Sequence, residues 1–228
     1  MKVGVLRFGG TNCDLDVAHV LENSVGVDTE LIWYKDAHLL DECDGLVIPG
    51  GFSYGDYLRA GAIAARESIM ERVRQMVDDG MPVLGICNGF QILTEAGVLD
   101  GALLKNEYPK FLCTWCHLRV EAVDSPFTLA FRQGDIIRLP IAHKEGRYYA
   151  DEATLERLNS RGQVALRYVD EHGRVSNPNG STEAIAGVLS EKKNVLGLMP
   201  HPERACSSVL GSEDGKTMFL SMVDYIRR

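Results

Sequence analysis

The run Pro82-Val83-Leu84-Gly85-Ile86-Cys87-Asn88-Gly89-Phe90-Gln91 places a thiol between two glycines, where a buried apolar strand gives way to a helix. Gly85-x-Cys87-x-Gly89 is the cysteine counterpart of the Gly-x-Ser-x-Gly nucleophile elbow. Its glycines let the chain turn sharply and keep β-carbons away from an approaching substrate. The sulfur of such an elbow lies over the N-terminus of the next helix, whose partial positive charge favours thiolate over thiol. Without such help only a small fraction of a free cysteine is nucleophilic at neutral pH. The plainer alternative, a small residue at a tight turn, leaves the conjunction of strand, glycines and helix unexplained.

A cysteine nucleophile needs a base and a group that orients the base, both usually distant in sequence. Among the histidines at 19, 38, 117, 143, 172 and 201, His201 is the best placed. It follows the apolar run Val195-Leu196-Gly197-Leu198-Met199, in Met199-Pro200-His201-Pro202-Glu203-Arg204. In a parallel sheet the strand C-termini share one edge, where ligands bind, so Cys87 and His201 are expected on the same rim. Glu203, two residues on, is positioned to hold one imidazole tautomer and to stabilise the imidazolium, as the third member of a triad does. The alternative is a histidine that merely terminates a strand. Gly50-Gly51-Phe52 follows another strand at the same edge. Backbone N–H groups there, with that of Asn88 after the nucleophile, are candidate donors to a developing oxyanion. A glycine pair by itself more often marks a tight turn.

These residues require a scaffold, and strand and helix signals alternate through the first hundred residues as a parallel doubly wound sheet demands. Val3 to Leu6 predicts a strand, Gly9-Gly10-Thr11-Asn12 a turn and Asp14 to Leu21 a helix. Leu31 to Tyr34 and Asp44 to Ile48 predict further strands. A long helix is predicted around Ile69, Val73, Met76 and Val77, with Asp56 as a candidate N-cap and Arg59 as a brace. After about residue 105 the pattern turns antiparallel, with short strands at Leu118–Val123, Ile136–Leu139, Ala165–Tyr168 and Ile185–Leu189. Pro178-Asn179-Gly180-Ser181 is a turn between the last two, Val195–Met199 a buried strand and Lys216–Ile226 a closing helix. No repeat, linker or low-complexity tract interrupts residues 1–228, so one domain is expected.

The composition, 45% hydrophobic and 25% charged with a formal charge of −8, is that of a globular protein. It argues against a nucleic-acid partner, which would need a clustered basic face. No apolar run approaches the ~18 residues of a membrane span, and Met1 to Arg7 is too short and too soon charged for a signal peptide. A cytoplasmic location is therefore expected, and with it six unpaired cysteines.

Several signals are set aside. Cys113-Thr114-Trp115-Cys116-His117 matches c-type haem attachment, which requires export, and a zinc site would need a second cysteine pair at matching spacing. Cys13, Cys43 and Cys206 stand singly, so no metal site is expected. Asn179-Gly180-Ser181 is formally a glycosylation acceptor. His143, in Pro140-Ile141-Ala142-His143, reads either as a structural histidine or as part of a partner-binding loop.

Taken together, Gly-x-Cys-x-Gly-x-Gln at 85–91, His-x-Glu at 201–203 and the preceding Gly-Gly resemble the class I, triad-type glutamine amidotransferases. Within that superfamily, further stretches resemble the glutaminase subunits of phosphoribosylformylglycinamidine synthases. They are Gly10–Asp14, Gly50–Gly61, Pro140–His143, Asn177–Ser181 and Met199–Arg204. Gly9 and Lys144 depart from that pattern, where proline and a smaller residue or histidine are usual; neither belongs to the triad. The resemblance implies a flavodoxin-like α/β fold with an antiparallel extension. It implies that Cys87, His201 and Glu203 hydrolyse glutamine, that Gly51, Phe52 and Asn88 serve the oxyanion, and that Gln91 helps seat the substrate. It also implies a separate synthetase subunit, with a small third subunit a further possibility, that takes the ammonia. ATP and magnesium would bind there, and none in this chain, which has no Gly-x-x-x-x-Gly-Lys-[Ser/Thr] run. Other readings are a class I glutaminase of another pathway, a stand-alone γ-glutamyl hydrolase, or a scaffold subunit with an idle triad.

Overall fold

The computed structural model describes residues 1–228. In chain order its strands are β1 (Lys2–Arg7), β2 (Asp28–Trp33), β3 (Gly45–Ile48), β4 (Val83–Ile86), β5 (Ala102–Leu104), β6 (Leu112–Val120), β7 (Ile136–His143), β8 (Arg147–Tyr149), β9 (Val164–Val169), β10 (Ile185–Leu189) and β11 (Val195–Leu198). The helices are α1 (Asp14–His19), α2 (Ile69–Asp78), α3 (Asn88–Glu95), α4 (Glu152–Ser160) and α5 (Asp214–Ile226).

One sheet carries nine strands in the order β2-β1-β3-β4-β11-β10-β9-β6-β7. The first five pair in parallel, and from β11 onward each neighbour is antiparallel. The parallel half therefore has the flavodoxin strand order, with β11 in the fifth place. Strands β3, β4 and β11 are buried along their whole length, as expected of parallel strands covered on both faces. Strand β7 instead alternates, with Ile137, Leu139, Ile141 and His143 inward. Strands β5 and β8 form a separate two-stranded ribbon.

The expected strands and helices are present with shifted ends. Two differences have clear causes. Helix α4 was not anticipated: it buries only Leu158, so no apolar stripe announces it. Its one signal is Asp151, an N-cap whose carboxylate accepts from the Thr154 N–H at 2.8 Å. Conversely, Asp56 does not cap the long helix. Helix α2 begins only at Ile69, and Asp56 sits in a turn at φ 55°. Arg59 braces a different helix, pairing with Glu95 of α3 at 2.6 Å.

Candidate active site

Cys87 occupies the turn between β4 and α3 with φ 51° and ψ −102°, a conformation costly for a residue with a β-carbon and typical of strained functional positions. The flanking glycines are required by contact. A β-carbon on Gly89 would lie 1.9 Å from the Ile48 carbonyl oxygen, and one on Gly85 would lie 2.4 Å from Leu93 Cδ1. The elbow is tied to the neighbouring strand by the Cys87 N–H, which donates to Leu198 O at 2.8 Å. Its sulfur is 3.8 Å from the Ala142 carbonyl of β7.

Strand β11 delivers His201 to the same rim. The His201 N–H donates to Pro140 O at 2.8 Å, and the ring Nδ1 lies 2.6 Å from Glu203 Oε1. Both side chains are buried, and His201 Nε2 has no hydrogen-bond partner. A β-carbon placed on Gly50 would meet His201 Cε1 at 2.9 Å, Cys13 Sγ at 3.1 Å and Cys87 Cβ at 3.5 Å, which measures how tightly these groups converge. Burial alone would lower the His201 pKa. The adjacent Glu203 carboxylate, with contributions from Cys87 and Cys13, instead raises it well above the usual imidazole value. A ring with a carboxylate behind it and the nucleophile's turn beside it has the arrangement of a catalytic triad.

Of the three residues expected to serve an oxyanion, Gly51, Phe52 and Asn88, one has its amide already engaged. The Phe52 N–H is already committed to Gly10 O at 2.9 Å, so Phe52 contributes its side chain to the wall, facing Phe111 at a centroid distance of 6.5 Å. The Gly51 N–H has no such commitment, and Asn88 stands at the first position of α3, where the amide has no partner within its helix. Gly51 itself packs where a β-carbon would come within 2.8 Å of Asn12 N, Gly10 O and Thr11 Cα. The Asn88 side chain accepts from the Ser53 N–H at 3.1 Å and donates to Gln91 Oε1 at 2.9 Å. Gln91 in turn donates to the Glu145 carbonyl at 2.5 Å. Gln91 therefore holds the 142–146 loop over the elbow as well as lining the cleft.

That cleft measures about 300 Å³ and is bounded by Gly51, Phe52, Asp56, Cys87, His143 and Glu145, with Gln91 and Lys144 also in its wall. Burial, followed by the charge of Glu145, raises the Asp56 pKa to about 6. One Asp56 carboxylate oxygen has no partner. A larger cavity of about 620 Å³, beside Cys43 and Arg72, lies at the N-terminal edge of the parallel strands, near Asp44 and Pro82. Burial pushes the Cys43 thiol up to about 11, so that cavity holds no competing nucleophile.

One neighbour of the site, Asn106, gave no sequence signal. Asn106 organises the loop over the cleft: its amide donates to the His143 and Lys110 carbonyls, each at 3.0 Å, and its Oδ1 faces His143 Nδ1 at 3.0 Å. The same Oδ1 accepts from the Gly146 N–H at 3.1 Å. His143 is buried against the site, and burial, then the proximity of His201, lowers its pKa to about 4. Cys13 also belongs to this region, with Arg204 Nη2 3.1 Å from its sulfur. Cys113 and Cys116 point to opposite faces of β6, one exposed and one buried, so they cannot jointly hold a haem or a metal.

Comparison with known proteins agrees with this geometry. The model of the CobB/CobQ-like glutamine amidotransferase domain matches residues 1–226. A phosphoribosylformylglycinamidine synthase subunit PurQ of Methanosarcina acetivorans is 62% identical, the alignment covering 99% of this chain and 98% of that protein. The protein of the same name from Pyrococcus furiosus is 51% identical, with 100% and 99% covered. A chain of the solved structure of PurLQS from Thermotoga maritima superposes with a TM-score of 0.88 at 47% identity, over 99% of this chain and 98% of that one. With a nucleophile elbow, a buried imidazole–carboxylate pair and a full-length match, the chain belongs to the CobB/CobQ-like glutamine amidotransferase family.

Proposed function

We infer that this chain is the glutaminase subunit of a phosphoribosylformylglycinamidine synthase, with Cys87, His201 and Glu203 as its catalytic triad. The observation that carries the mechanism is the convergence of Cys87 and the Glu203-oriented His201 ring on Gly50, beside a cleft that admits a small polar substrate.

In the first half-reaction the Cys87 thiolate attacks the side-chain carbonyl carbon of glutamine, and the π pair moves to oxygen. Amides of Gly51 and Asn88 receive that oxyanion. The imidazolium of His201 gives its Nε2 proton to the amide nitrogen as the C–N bond breaks, releasing ammonia. In the second half-reaction, neutral His201 takes a proton from water as the water attacks the γ-glutamyl thioester. Collapse breaks the C–S bond, restores the thiolate and releases glutamate. The unpartnered Asp56 oxygen supplies negative charge on the wall that receives the substrate's α-ammonium.

The ammonia passes to an ATP-using synthetase subunit, which makes an amidine from the formylglycinamide ribonucleotide, with a small third subunit in the assembly. This chain needs no cofactor of its own for glutamine hydrolysis; ATP and magnesium belong to the synthetase. No helix is long and apolar enough to cross a membrane, in keeping with a cytoplasmic biosynthetic enzyme.

The decisive experiment is Cys87→Ser assembled with its synthetase. Glutamine-dependent product formation should fall by about 10⁴- to 10⁶-fold, while ammonia-dependent formation persists. Retained glutamine-dependent turnover would overturn the mechanism. Full glutaminase activity without the synthetase, unchanged on its addition, would instead identify a stand-alone γ-glutamyl hydrolase.

A further inference from the structure

Half of the cysteines in this chain gather on one side of the nucleophile. Cys13, Cys87 and Cys113 line a recess of about 190 Å³ together with His201 and Arg204, next to the cleft described above. They arrive from separate places: the turn after β1, the elbow, and the second residue of β6. The Cys13 sulfur, a ring nitrogen of His201 and a carboxylate oxygen of Glu203 lie within 4.8 Å of one another. Because Glu203 Oε1 is committed to Nδ1, the ring offers Nε2, which is buried and unpartnered. Glutamine hydrolysis uses neither Cys13 nor Cys113.

We propose that this recess binds a thiophilic divalent cation of the Zn²⁺ type through Sγ of Cys13, Sγ of Cys87 and Nε2 of His201, with Cys113 at the mouth as fourth donor, and that occupancy silences the glutaminase. Soft sulfur donors with one imidazole suit Zn²⁺ and do not suit Mg²⁺ or Ca²⁺. Glu203 behind the ring is the carboxylate that commonly orients a metal-bound histidine. Bond lengths to zinc place tetrahedral donor atoms roughly 3.3–3.8 Å apart, so the Cys13 sulfur, within 4.8 Å of a ring nitrogen of His201, needs to close by about 1 Å through rotation at χ1. Arg204 is able to keep its hydrogen bond to a metal-bound Cys13 sulfur. On binding, His201 Nε2 and any protonated thiol release their protons to solvent, and the cation takes the nucleophile's lone pair and the base's nitrogen at once. The silencing rests on the glutaminase reading above; the metal site does not.

Co²⁺ titration of the full chain, without any turnover, tests the site. One equivalent should generate a thiolate-to-cobalt charge-transfer band in the near ultraviolet, and Zn²⁺ should bleach it. Cys13→Ser should weaken Co²⁺ binding by at least about 10-fold, Cys87→Ser likewise, and Cys116→Ser on the other face of β6 should leave it unchanged. In the unmutated chain, saturating Zn²⁺ should slow carboxymethylation of Cys87, read by peptide mass, by about 10-fold or more. Absence of the band, a band of unchanged affinity in Cys13→Ser, or an unprotected Cys87 would each overturn the proposal. A chain that gives the band yet hydrolyses no glutamine would fault the functional reading and leave the metal site standing.

Discussion

Substituting Gly50 by alanine isolates the contribution of triad geometry from that of triad chemistry. Gly50 carries no reacting group, and its backbone lies outside the left-handed region, so alanine faces no conformational barrier there. What the new methyl group meets is His201 Cε1 at 2.9 Å and Cys13 Sγ at 3.1 Å. To reach an ordinary carbon–carbon contact the ring must retreat by about 0.6 Å. It cannot do so freely, because Nδ1 is held at 2.6 Å by a buried carboxylate. The ring therefore rotates or tilts, and Nε2 leaves the line to the thiol.

Misplacement on the order of 1 Å costs a reaction about 100-fold, so a shift near 0.6 Å should lower kcat by roughly 10- to 100-fold, about 1.4–2.7 kcal/mol in the barrier. Gly50 is outside the wall of the glutamine cleft, so KM should stay nearly constant. Overpacking costs about 1–3 kcal/mol of stability, offset by about 0.4–1 kcal/mol of reduced unfolded-state entropy, so the protein should fold with a modestly lower melting temperature. Steady-state glutaminase kinetics of the assembled complex, with thermal unfolding alongside, check both parts. Gly9→Ala is the control: it lies in the turn after β1, and its β-carbon would meet nothing within 4 Å. A wild-type kcat in Gly50→Ala, or a loss appearing only in KM, would refute the reasoning.

Two further outcomes follow from the histidines. Glu203→Gln should lower kcat by about 10³- to 10⁴-fold with little change in KM, because the ring loses its enforced tautomer and its imidazolium its counter-charge. The raised His201 pKa contributes stability that is complete below its ordinary value of 6.5 and is lost as pH rises through the folded value. The stability gap between wild type and Glu203→Gln should accordingly narrow as pH rises, measured by denaturant unfolding. His143 has the opposite sign: its pKa of about 4 lies below its ordinary 6.5, so the unfolded chain takes up the proton first and stability falls as pH drops between those values. That loss amounts to about 3 kcal/mol, and His143→Gln should flatten the acid arm of the stability profile. An acid arm unchanged in that variant would remove His143 from the account.

The triad was legible because each member lies in a short local motif immediately after an apolar strand. Strand C-termini of a parallel sheet share one edge whatever the intervening loops do. Asn106 was not legible, and Cys13 and Ala142 entered only as members of resembling stretches with no role beside the nucleophile, because all three reach the site through pairings that no local pattern announces. Asn106 precedes β6 and meets His143 only because β6 and β7 run antiparallel with Leu112 opposite His143. The Cys113–Cys116 pair shows the converse. A spacing that looks chemical in the sequence is separated by the two-residue period of a strand, and Cys113 finds its sulfur neighbours a hundred residues upstream in Cys13.

Register explains why the convergence is so close. Ile48 of β3 pairs with Gly85 of β4, and Leu198 of β11 pairs with Ile86. Two residues beyond Ile48 stands Gly50, two beyond Gly85 stands Cys87, and three beyond Leu198 stands His201. Adjacent strands are about 4.8 Å apart, so a row of residues just past three neighbouring strand ends is already within a side chain's length of one another. Gly89 locks the row from the helix side, its α-carbon pressed so near the Ile48 carbonyl that no β-carbon fits. The distance between nucleophile and base is thus set by backbone hydrogen bonding of three strands buried along their whole length rather than by loop conformation. On that argument, loop substitutions that leave β3, β4 and β11 intact should change substrate binding and partner response before they change the intrinsic reactivity of the triad.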